Sequence, residues 1–310
     1  MTAISLEGHV ALVTGSGRGL GAAYARELAR LGAAVVVNDL PGSDAADEVV
    51  SAIERGGGRA AAAYGNVATR DGARHVVEAA IDRFGFVDTV INNAGIIRPA
   101  LFEDHDDDHI DAVLDVHVKA MFYVTQPAYE GMRERGYGRI VNITSNNSFG
   151  VEGMVNYSTA KAAVLGFSGA LALEAARHGV LVNSVMPNAV TPMAVEATAG
   201  APIPRLEENQ AFLTAYGALG HCSEPERPAA LVAFLASPAC TETGQVFSQV
   251  GPRYSRVFFG VTDGWMSSVK QPPTADDIAD HLDELSTTTG FTTPSSVTDD
   301  FVAAASRVSA

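Results

Sequence analysis

A tyrosine and a lysine, four residues apart, are the side chains of this sequence best suited to acid–base chemistry. Tyr157 and Lys161 stand in the segment Tyr-Ser-Thr-Ala-Lys, and on a helix this spacing places both on one face. A free tyrosine has a pKa of about 10 and is a poor base at neutral pH. A nearby ammonium group and the positive charge of a bound ligand would both favour the phenolate, so we expect the pKa of Tyr157 to fall. The pair could then take or give a proton at a carbinol oxygen.

A hydroxyl donor stands upstream of this pair. Ser145 ends the run Gly-Arg-Ile-Val-Asn-Ile-Thr-Ser (138–145), which predicts a strand, and open α/β sheets bind their ligands at the carboxyl ends of strands. The Ser145 hydroxyl can donate to a substrate oxygen. A Tyr-x-x-x-Lys pair and a strand-end serine each occur often without any function. They indicate a catalytic site only if the surrounding elements bring them together.

Those elements follow a regular alternation. Short apolar runs alternate with helical patterns from residue 9 to about 250, which predicts an α/β fold with a parallel sheet covered on both faces. The alternation breaks at residues 191–222, whose length and Pro, Gly and Ala content predict a substrate lid. We expect one domain over residues 1–265, followed by a C-terminal extension over 266–310 that contains an amphipathic helix at 274–285.

A glycine-rich turn follows the first predicted strand. In Thr-Gly-Ser-Gly-Arg-Gly-Leu-Gly (14–21), Gly15 permits a tight exit from the strand, Gly19 allows close approach of a pyrophosphate, and Gly21 lets the helix pack on the sheet. The free N–H groups of the helix N-terminus would then face the phosphates. This context predicts a dinucleotide site. The turn residues expected to contact the dinucleotide are Gly15, Gly17, Arg18, Gly19 and Leu20.

An acidic residue ends the second predicted strand. Asp39 lies 18 residues after Gly21, where a carboxylate accepts hydrogen bonds from the adenosine ribose hydroxyls and repels a 2′-phosphate. Arg18 opposes this preference, because an arginine in the turn can reach a 2′-phosphate. We give Asp39 the greater weight, since Leu40 and Pro41, not basic residues, follow it. The expected cofactor is NAD.

Composition narrows the classes of partner. The 310 residues carry a net charge of −15 without a basic run, which argues against nucleic-acid binding and against docking on anionic lipid. The sequence shows no signal peptide, no peroxisomal C-terminal tripeptide, and no apolar run near the roughly 18 residues of a membrane span. Cys222 and Cys240 fit free thiols in a reducing compartment. We expect a cytoplasmic protein with a small-molecule substrate.

Four motifs in this order resemble the short-chain dehydrogenase/reductase family over residues 6 to about 250. They are TGSGRGLG (14–21), NNAG (92–95), the strand-end Ser145 and YSTAK (157–161). The resemblance implies a single Rossmann-like doubly wound domain with a seven-stranded parallel sheet. It implies Tyr157 as the acid/base, Lys161 as the cofactor clamp and Ser145 as the donor to the substrate oxygen.

The same resemblance implies further cofactor contacts and an oligomer. Asn93, Ala94 and Gly95 would line the adenosine-ribose side, and nicotinamide contacts would come from the segment after the sixth strand. Asn66 takes the place of an aspartate that the family often has near adenine. The residues implied, besides those of the turn, are Asn66, Val67, Asn93, Ala94, Gly95, Tyr157, Lys161, Pro187, Val190 and Thr191. Members of the family are usually dimers or tetramers.

Two positions depart from the family pattern. The long fourth helix usually carries an asparagine that holds a water in the proton relay, and His117 stands at that position here. A histidine can also relay protons, so His117 is either a fourth member of the catalytic set or a packed side chain. Ser145 precedes Tyr157 by one residue fewer than usual, which puts Thr144 at the customary distance. The strand pattern favours Ser145.

A narrower resemblance points to one branch of the family. VVVNDL (35–40), the helix histidine and GQVFSQVGPRYSRVFFGVTDGW (244–265) resemble the (3R)-hydroxyacyl-CoA dehydrogenase part of multifunctional enzyme type 2 and its bacterial relatives. The implied substrate is a 3-hydroxyacyl-CoA. A hydroxysteroid or terpenoid alcohol is the alternative substrate. A non-catalytic dinucleotide-binding protein is the alternative function.

One cluster has the composition of a metal site. His105 and His109 lie four residues apart among carboxylates, in Glu-Asp-His-Asp-Asp-Asp-His (103–109). The segment also opens the predicted fourth helix, where acidic residues complement the helix dipole. We favour capping over metal binding and expect no metal.

Overall fold

The computed structural model describes residues 4–189, 191, 193, 214 and 217–308. The chain divides into two compact units, Met1–Arg256 and Val257–Ala310, whereas the sequence suggested a division after residue 265. No helix in the described parts of the chain is long and apolar enough to cross a bilayer.

The first unit is built on an eight-stranded sheet of order β3-β2-β1-β4-β5-β6-β7-β8. The neighbouring strands from β3 to β7 pair in parallel, as their continuous Val, Ile and Ala runs predict. The order reverses beside β1, and such a reversal opens a crevice at the carboxyl ends of the strands. The strands are β1 Val10–Val13, β2 Ala34–Asp39, β3 Arg59–Tyr64, β4 Thr89–Asn92, β5 Gly138–Ile143, β6 Val180–Met186, β7 Val246–Val250 and β8 Arg253–Val257.

The eighth strand corrects the expected count of seven. Gly251, with φ +55°, and Pro252 form a two-residue turn after β7. So short a connection folds the chain back beside β7, whereas a parallel partner would need a crossover of a dozen or more residues. The doubly wound class is confirmed, and one edge of the sheet carries an additional strand.

Helices cover both faces of this sheet. On one face Tyr24, Leu28 and Leu235 pack in the same core cluster, and on the other Val76 packs in a cluster with Met132. The helices are α1 Gly19–Arg30, α2 Ala45–Arg55, α3 Arg70–Phe84, α4 Asp107–Leu114, α5 Ala120–Arg135, α6 Val155–Ala175 and α7 Glu226–Ala236.

A π-helical turn lies within the long helical stretch from Asp107 to Arg135. Residues Asp115–Lys119 adopt this wider turn between α4 and α5, and the backbone remains helical at Leu114 and Ala120 on either side. Single π-turns inside α-helices occur often at functional sites. His117 lies in the middle of this turn and its side chain is buried.

The second unit is a small assembly of short elements. β9 Val261–Thr262 pairs antiparallel with β10 Phe291–Thr292, and α8 Ala275–Asp280, α9 Leu282–Leu285 and α10 Val297–Val308 are its helices. The amphipathic pattern at 274–285 is thus divided between α8 and α9. Thr274 forms a capping box with Asp277 at the start of α8, and the Trp265 ring stacks on His281 with centroids 4.0 Å apart.

Candidate active site

The glycine-rich turn leaves β1 and enters α1 along a path fixed by main-chain contacts. Gly15 and Gly19 have φ of +59° and +57°, a region that favours glycine. The Gly15 N–H donates to Asn38 Oδ1 (3.2 Å), and the Ser16 N–H donates to the Asn38 carbonyl (2.7 Å). Asn38, the residue before Asp39, therefore anchors the turn to the end of β2.

The segment after β4 closes on the same turn. Thr14 Oγ1 accepts the N–H groups of Asn93 (2.9 Å) and Ala94 (3.0 Å). The Asn93 side chain donates to the carbonyls of Thr14 and Gly15 at 2.9 and 3.0 Å. A Cβ at Gly15 would lie 2.8 Å from the Ala94 Cα, so this close approach requires glycine. Two motifs that are far apart in the sequence thus form one rigid corner.

This corner fits a dinucleotide. Helix α1 starts with Gly-Leu-Gly-Ala and has no acidic residue in its first turn, and the side chain of its N-cap residue Arg18 does not cap it. Its main-chain N–H groups can therefore serve an anion. A Cβ at Gly21 would lie 2.5 Å from the Gly15 carbonyl oxygen and 2.6 Å from Asn93 Nδ2. The cradle therefore depends on missing side chains. The Arg18 side chain is exposed, and Leu20 packs against the core beneath the turn.

The residues expected near ribose and adenine lie at the neighbouring strand ends. Asp39 ends β2, where its Oδ1 accepts the Leu40 N–H at 2.8 Å. Asn66 follows β3 and is exposed, and its side-chain oxygen accepts the Ala68 N–H at 3.0 Å. Val67 is buried in the core under α3. Each lies beyond the carboxyl end of a strand, at the edge where the topology opens its crevice.

Tyr157, Lys161 and Ser145 come together at the carboxyl end of β5. Tyr157 and Lys161 lie on α6, and both are buried. Lys161 Nζ donates to the Ile143 carbonyl at the end of β5 (2.7 Å) and lies 5.7 Å from the centroid of the Tyr157 ring. The Ser145 side chain lies next to that of Tyr157 and favours its phenolate form. Two hydroxyls and an ammonium thus meet in a site shielded from water.

The geometry distinguishes Ser145 from Thr144. β5 ends at Ile143, earlier than the sequence indicated, and Ser145 caps a short 3₁₀ turn by accepting the Asn147 N–H at 3.1 Å. Its hydroxyl remains beside Tyr157. The Thr144 hydroxyl instead donates to the Lys161 carbonyl at 2.6 Å. Thr144 therefore fixes α6 to β5, and Ser145 reaches the tyrosine.

Burial shifts the pKa values of both titratable groups. Desolvation raises the pKa of Tyr157 to about 12, although the neighbouring Ser145 hydroxyl acts in the opposite direction. Burial therefore dominates in the chain without a cofactor, and the predicted lowering of the tyrosine pKa, which also invoked the positive charge of a bound ligand, stays a prediction. Desolvation lowers the pKa of Lys161 to about 7.

His117 joins the catalytic group to the segment after β4. Its ring meets the Tyr157 ring edge-to-face, with centroids 5.1 Å apart. Nε2 lies 2.8 Å from the Ile96 carbonyl oxygen and 3.1 Å from the Ile96 nitrogen. Nδ1 is buried and has no hydrogen-bond partner among the residues that the structure describes. Burial and the charge of Lys161 hold the pKa of His117 well below its usual 6.5. A Cβ at Gly95 would overlap the imidazole.

The segment after β6 is only partly described. Pro187 follows the end of β6 and is half-buried, and Thr191 is buried. The Asn188 N–H donates to the buried Gln249 side chain at 3.2 Å, which ties this segment to β7. Val190 lies outside the described residues. The same holds for most of the predicted lid at 191–222, of which the structure describes Thr191, 193, 214 and 217–222.

The histidine-rich acidic segment forms a helix cap. Asp106 accepts the His109 N–H as N-cap of α4, and Asp107 and Asp108 occupy the first turn. The His105 ring bonds the Leu101 carbonyl. Among the described residues, no group of three or more His, Cys, Asp or Glu side chains is arranged to hold a metal ion. The predicted cap of the fourth helix is thus formed by Asp106.

Sequence reasoning missed a buried polar chain behind the site. Asn92 on β4 donates to Thr125 and to Asn142 on β5 (2.8 Å to Asn142). Asn142 donates to Ser168 on α6, and Ser184 on β6 donates to Ser168, both at 2.8 Å. The available signal was polar residues inside otherwise apolar strands, as with Asn38. This chain of hydrogen bonds fixes the catalytic helix to the strand ends.

Comparisons with known proteins agree with this geometry. The model of the short chain dehydrogenase family matches residues 9–201. A short-chain type dehydrogenase/reductase of Mycobacterium tuberculosis is 36% identical over 294 residues, covering 92% of this chain and 96% of that protein. A hydroxyacyl-CoA dehydrogenase of the same organism is 37% identical over 266 residues, covering 81% of this chain and 80% of its own length.

Solved structures extend the comparison. Full-length peroxisomal multifunctional enzyme type 2 from Drosophila melanogaster aligns with a TM-score of 0.78 at 28% identity, over 99% of this chain and 50% of that one. An NAD(P) dependent gluconate 5-dehydrogenase from Beutenbergia cavernae with bound NADP aligns with a TM-score of 0.69 at 34% identity. The alignment covers 79% of this chain and 96% of that one. This chain spans 32% of the length of the type 2 multifunctional enzymes of mouse and fly.

The chain belongs to the short-chain dehydrogenase/reductase family. Members of this family bind a nicotinamide dinucleotide, and the chain is an oxidoreductase of the class that acts on CH–OH donors. Its relatives include multifunctional enzyme type 2 and bacterial hydroxyacyl-CoA dehydrogenases, so the narrower resemblance is confirmed as a similarity.

Proposed function

We propose that this chain is an NAD-dependent dehydrogenase that interconverts a 3-hydroxyacyl-CoA and its 3-oxo form. The observation that carries the chemistry is the convergence of Ser145, Tyr157 and buried Lys161 at the carboxyl end of β5. The similarity to a hydroxyacyl-CoA dehydrogenase over most of both chains supports the substrate class.

The chemistry follows from the positions of three side chains. A bound nicotinamide would supply the hydride acceptor for oxidation of the carbinol carbon and the hydride donor for reduction of the ketone. The Ser145 hydroxyl donates to the substrate oxygen and holds it beside Tyr157. Tyr157 takes the proton from that oxygen during oxidation and gives it back during reduction. Burial alone keeps Tyr157 protonated, so its activation requires positive charge nearby.

Lys161 is the residue that supplies part of that charge. One of its three N–H donors is engaged by the Ile143 carbonyl, and the others can hold ribose hydroxyls of the cofactor. Because burial lowers its pKa to about 7, Lys161 changes charge near neutral pH. Anionic and hydroxyl groups brought by the cofactor favour its ammonium form.

We assign His117 a positioning role in the same reaction. Nε2 is engaged by the Ile96 backbone, and the ring buttresses Tyr157. The buried Nδ1 is the atom through which the proton relay suggested by the sequence would have to pass. The two roles differ in their dependence on pH, because only a relay requires the ring to change protonation state.

Asp39 is the proposed determinant of cofactor choice. Its carboxylate ends β2 beside the glycine-rich turn, where it accepts hydrogen bonds from ribose hydroxyls and repels a 2′-phosphate. We therefore expect NAD to bind more tightly than NADP. Arg18 is exposed in the same turn, and its charge acts in the opposite direction.

A substrate panel tests the proposed function. Purified protein is supplied with NAD and, in parallel, NADP, together with 3-hydroxyacyl-CoAs of several chain lengths, hydroxysteroids and terpenoid alcohols. We expect the highest kcat/KM with NAD and a 3-hydroxyacyl-CoA. A higher value with a hydroxysteroid or terpenoid would overturn the substrate class. Dinucleotide binding without turnover of any alcohol would indicate a non-catalytic protein.

Three further properties belong to the same proposal. We expect a homodimer or homotetramer, as is usual in the family, and a cytoplasmic location. We also retain residues 1–265 as the catalytic domain and 266–310 as an extension. Light scattering of the purified chain measures the assembly, and truncation after residue 265 shows whether turnover needs the extension.

A further inference from the structure

The carboxylate of Asp39 lies directly against the main chain of Gly17. A Cβ built on Gly17 would overlap Asp39 Oδ2 and would lie 2.9 Å from the Ala45 Cβ. The φ of Gly17 is outside the positive range that favours glycine. The position therefore needs glycine for the space it leaves to Asp39, and not for its backbone conformation.

The same carboxylate is held from the other side. Oδ1 accepts the Leu40 N–H at 2.8 Å, and Oδ2 is the acceptor for the Ser43 hydroxyl at 3.3 Å. The Ser43 hydroxyl also accepts the Ala45 N–H at the start of α2 (3.3 Å). Asp39 is thus oriented between the turn and α2 before any ligand is present.

We propose that Gly17 and Ser43 determine cofactor specificity by fixing the position of the Asp39 carboxylate. The inference rests on the proposed role of Asp39 in choosing NAD. Discrimination against a 2′-phosphate needs a negative charge at a fixed place, because a carboxylate free to turn into solvent would relieve the like-charge contact. A methyl group at residue 17 would force the Asp39 carboxylate to move. Loss of the Ser43 hydroxyl would only permit the carboxylate to move.

The expected effects differ in size. Gly17→Ala displaces the carboxylate, so NAD binds more weakly and NADP more tightly, and the ratio of the two Kd values shifts toward NADP by about tenfold or more. Ser43→Ala shifts the ratio in the same direction by less. Ser43→Thr retains the hydroxyl and is expected to keep the wild-type ratio.

The test is a double-mutant cycle read by calorimetric binding of NAD and NADP to the cofactor-free protein. The proteins are wild type, Gly17→Ala, Asp39→Ala and the double variant, with the two Ser43 variants alongside. We expect Gly17→Ala to shift the ratio in the wild-type background and to leave it unchanged when Asp39 is already alanine.

The outcomes separate the inference from the proposal beneath it. If Asp39→Ala leaves the ratio of Kd values unchanged, the proposed basis of cofactor choice is wrong. If Asp39→Ala shifts the ratio but Gly17→Ala does not, the inference is overturned. It is also overturned if Gly17→Ala shifts the ratio equally in both backgrounds. Should Gly17→Ala fail to fold, Ser43→Ala against Ser43→Thr decides, and equal ratios for those two variants overturn the inference.

Discussion

The glycine-rich corner and the catalytic group lie at the same edge of the sheet but are built in opposite ways. The corner of Gly15, Gly21 and Asn93 consists of main-chain groups whose close approach depends on missing side chains. The catalytic group consists of buried titratable side chains whose pKa values are shifted by desolvation. Binding here depends on shape, whereas reactivity depends on charge that burial makes unfavourable. Changes in the two regions should therefore move different measurements.

The largest expected effect comes from removing the Tyr157 hydroxyl. Tyr157→Phe keeps the ring that packs against His117 but deletes the group that exchanges the proton, so kcat should fall by roughly 10²–10⁴-fold. The Kd of NAD should stay near the wild-type value, measured by calorimetry. Retained turnover with a normal pH profile would remove Tyr157 from the mechanism.

The corner should respond in the reverse manner. In Gly21→Ala the new methyl group meets the Gly15 carbonyl and the Asn93 side chain, which are fixed groups, so the turn must move. We expect the Kd of NAD to rise by about tenfold or more, because a shift of 1.4 kcal/mol already has that effect. With saturating NAD, kcat should change far less.

A matched control separates this effect from helix propensity. Gly166 lies on α6, and a Cβ there would meet no atom within 4 Å. Gly166→Ala should leave the Kd of NAD unchanged and should raise stability by about 0.5–1 kcal/mol, as alanine does in helix interiors. Equal losses of NAD affinity in the two variants would contradict the proposed role of Gly21.

The two regions also differ in how much of them could be predicted from the sequence. The turn residues and the Tyr157–Lys161 pair follow from local spacing, because a strand-to-helix turn and one helical face are short-range features. The direction of the Tyr157 pKa could not be predicted, since it depends on burial under elements far along the chain. The roles of Asn38 and Thr14 required strand pairing to be known. The eighth strand required knowing that the chain turns back after Gly251.

The catalytic group should make the free energy of unfolding depend on pH, whereas the glycine-rich corner should not. The pKa of Lys161 is about 7 in the folded chain and about 10.4 when exposed. Between these values the unfolded chain binds more protons, so the free energy of unfolding should rise with pH, by at most about 1.4 kcal/mol per unit.

Lys161→Met isolates this contribution. Urea denaturation of cofactor-free wild type and variant from pH 6.5 to 9.5 should show the wild type gaining stability relative to the variant as pH rises. The gain should be absent below pH 7, where both states of the wild type carry the ammonium. Two curves that remain parallel would mean that Lys161 is not desolvated as described.

The smallest effect is expected from a change that joins the two regions. His117 contacts Tyr157 on one side and the Ile96 backbone, after the NNAG segment, on the other. Because its pKa lies well below the usual value, the ring is neutral above pH 6.5 and can position its neighbours without exchanging protons.

His117→Asn keeps a side-chain amide that can donate to the Ile96 carbonyl, so kcat should fall by less than the roughly 10²–10⁴-fold of an acid–base group. The pH–rate profile should keep its shape, whereas His117→Ala should lose more activity. A relay in which the imidazole itself exchanges the proton predicts instead that the pH–rate profile changes shape in both variants, because neither asparagine nor alanine can titrate.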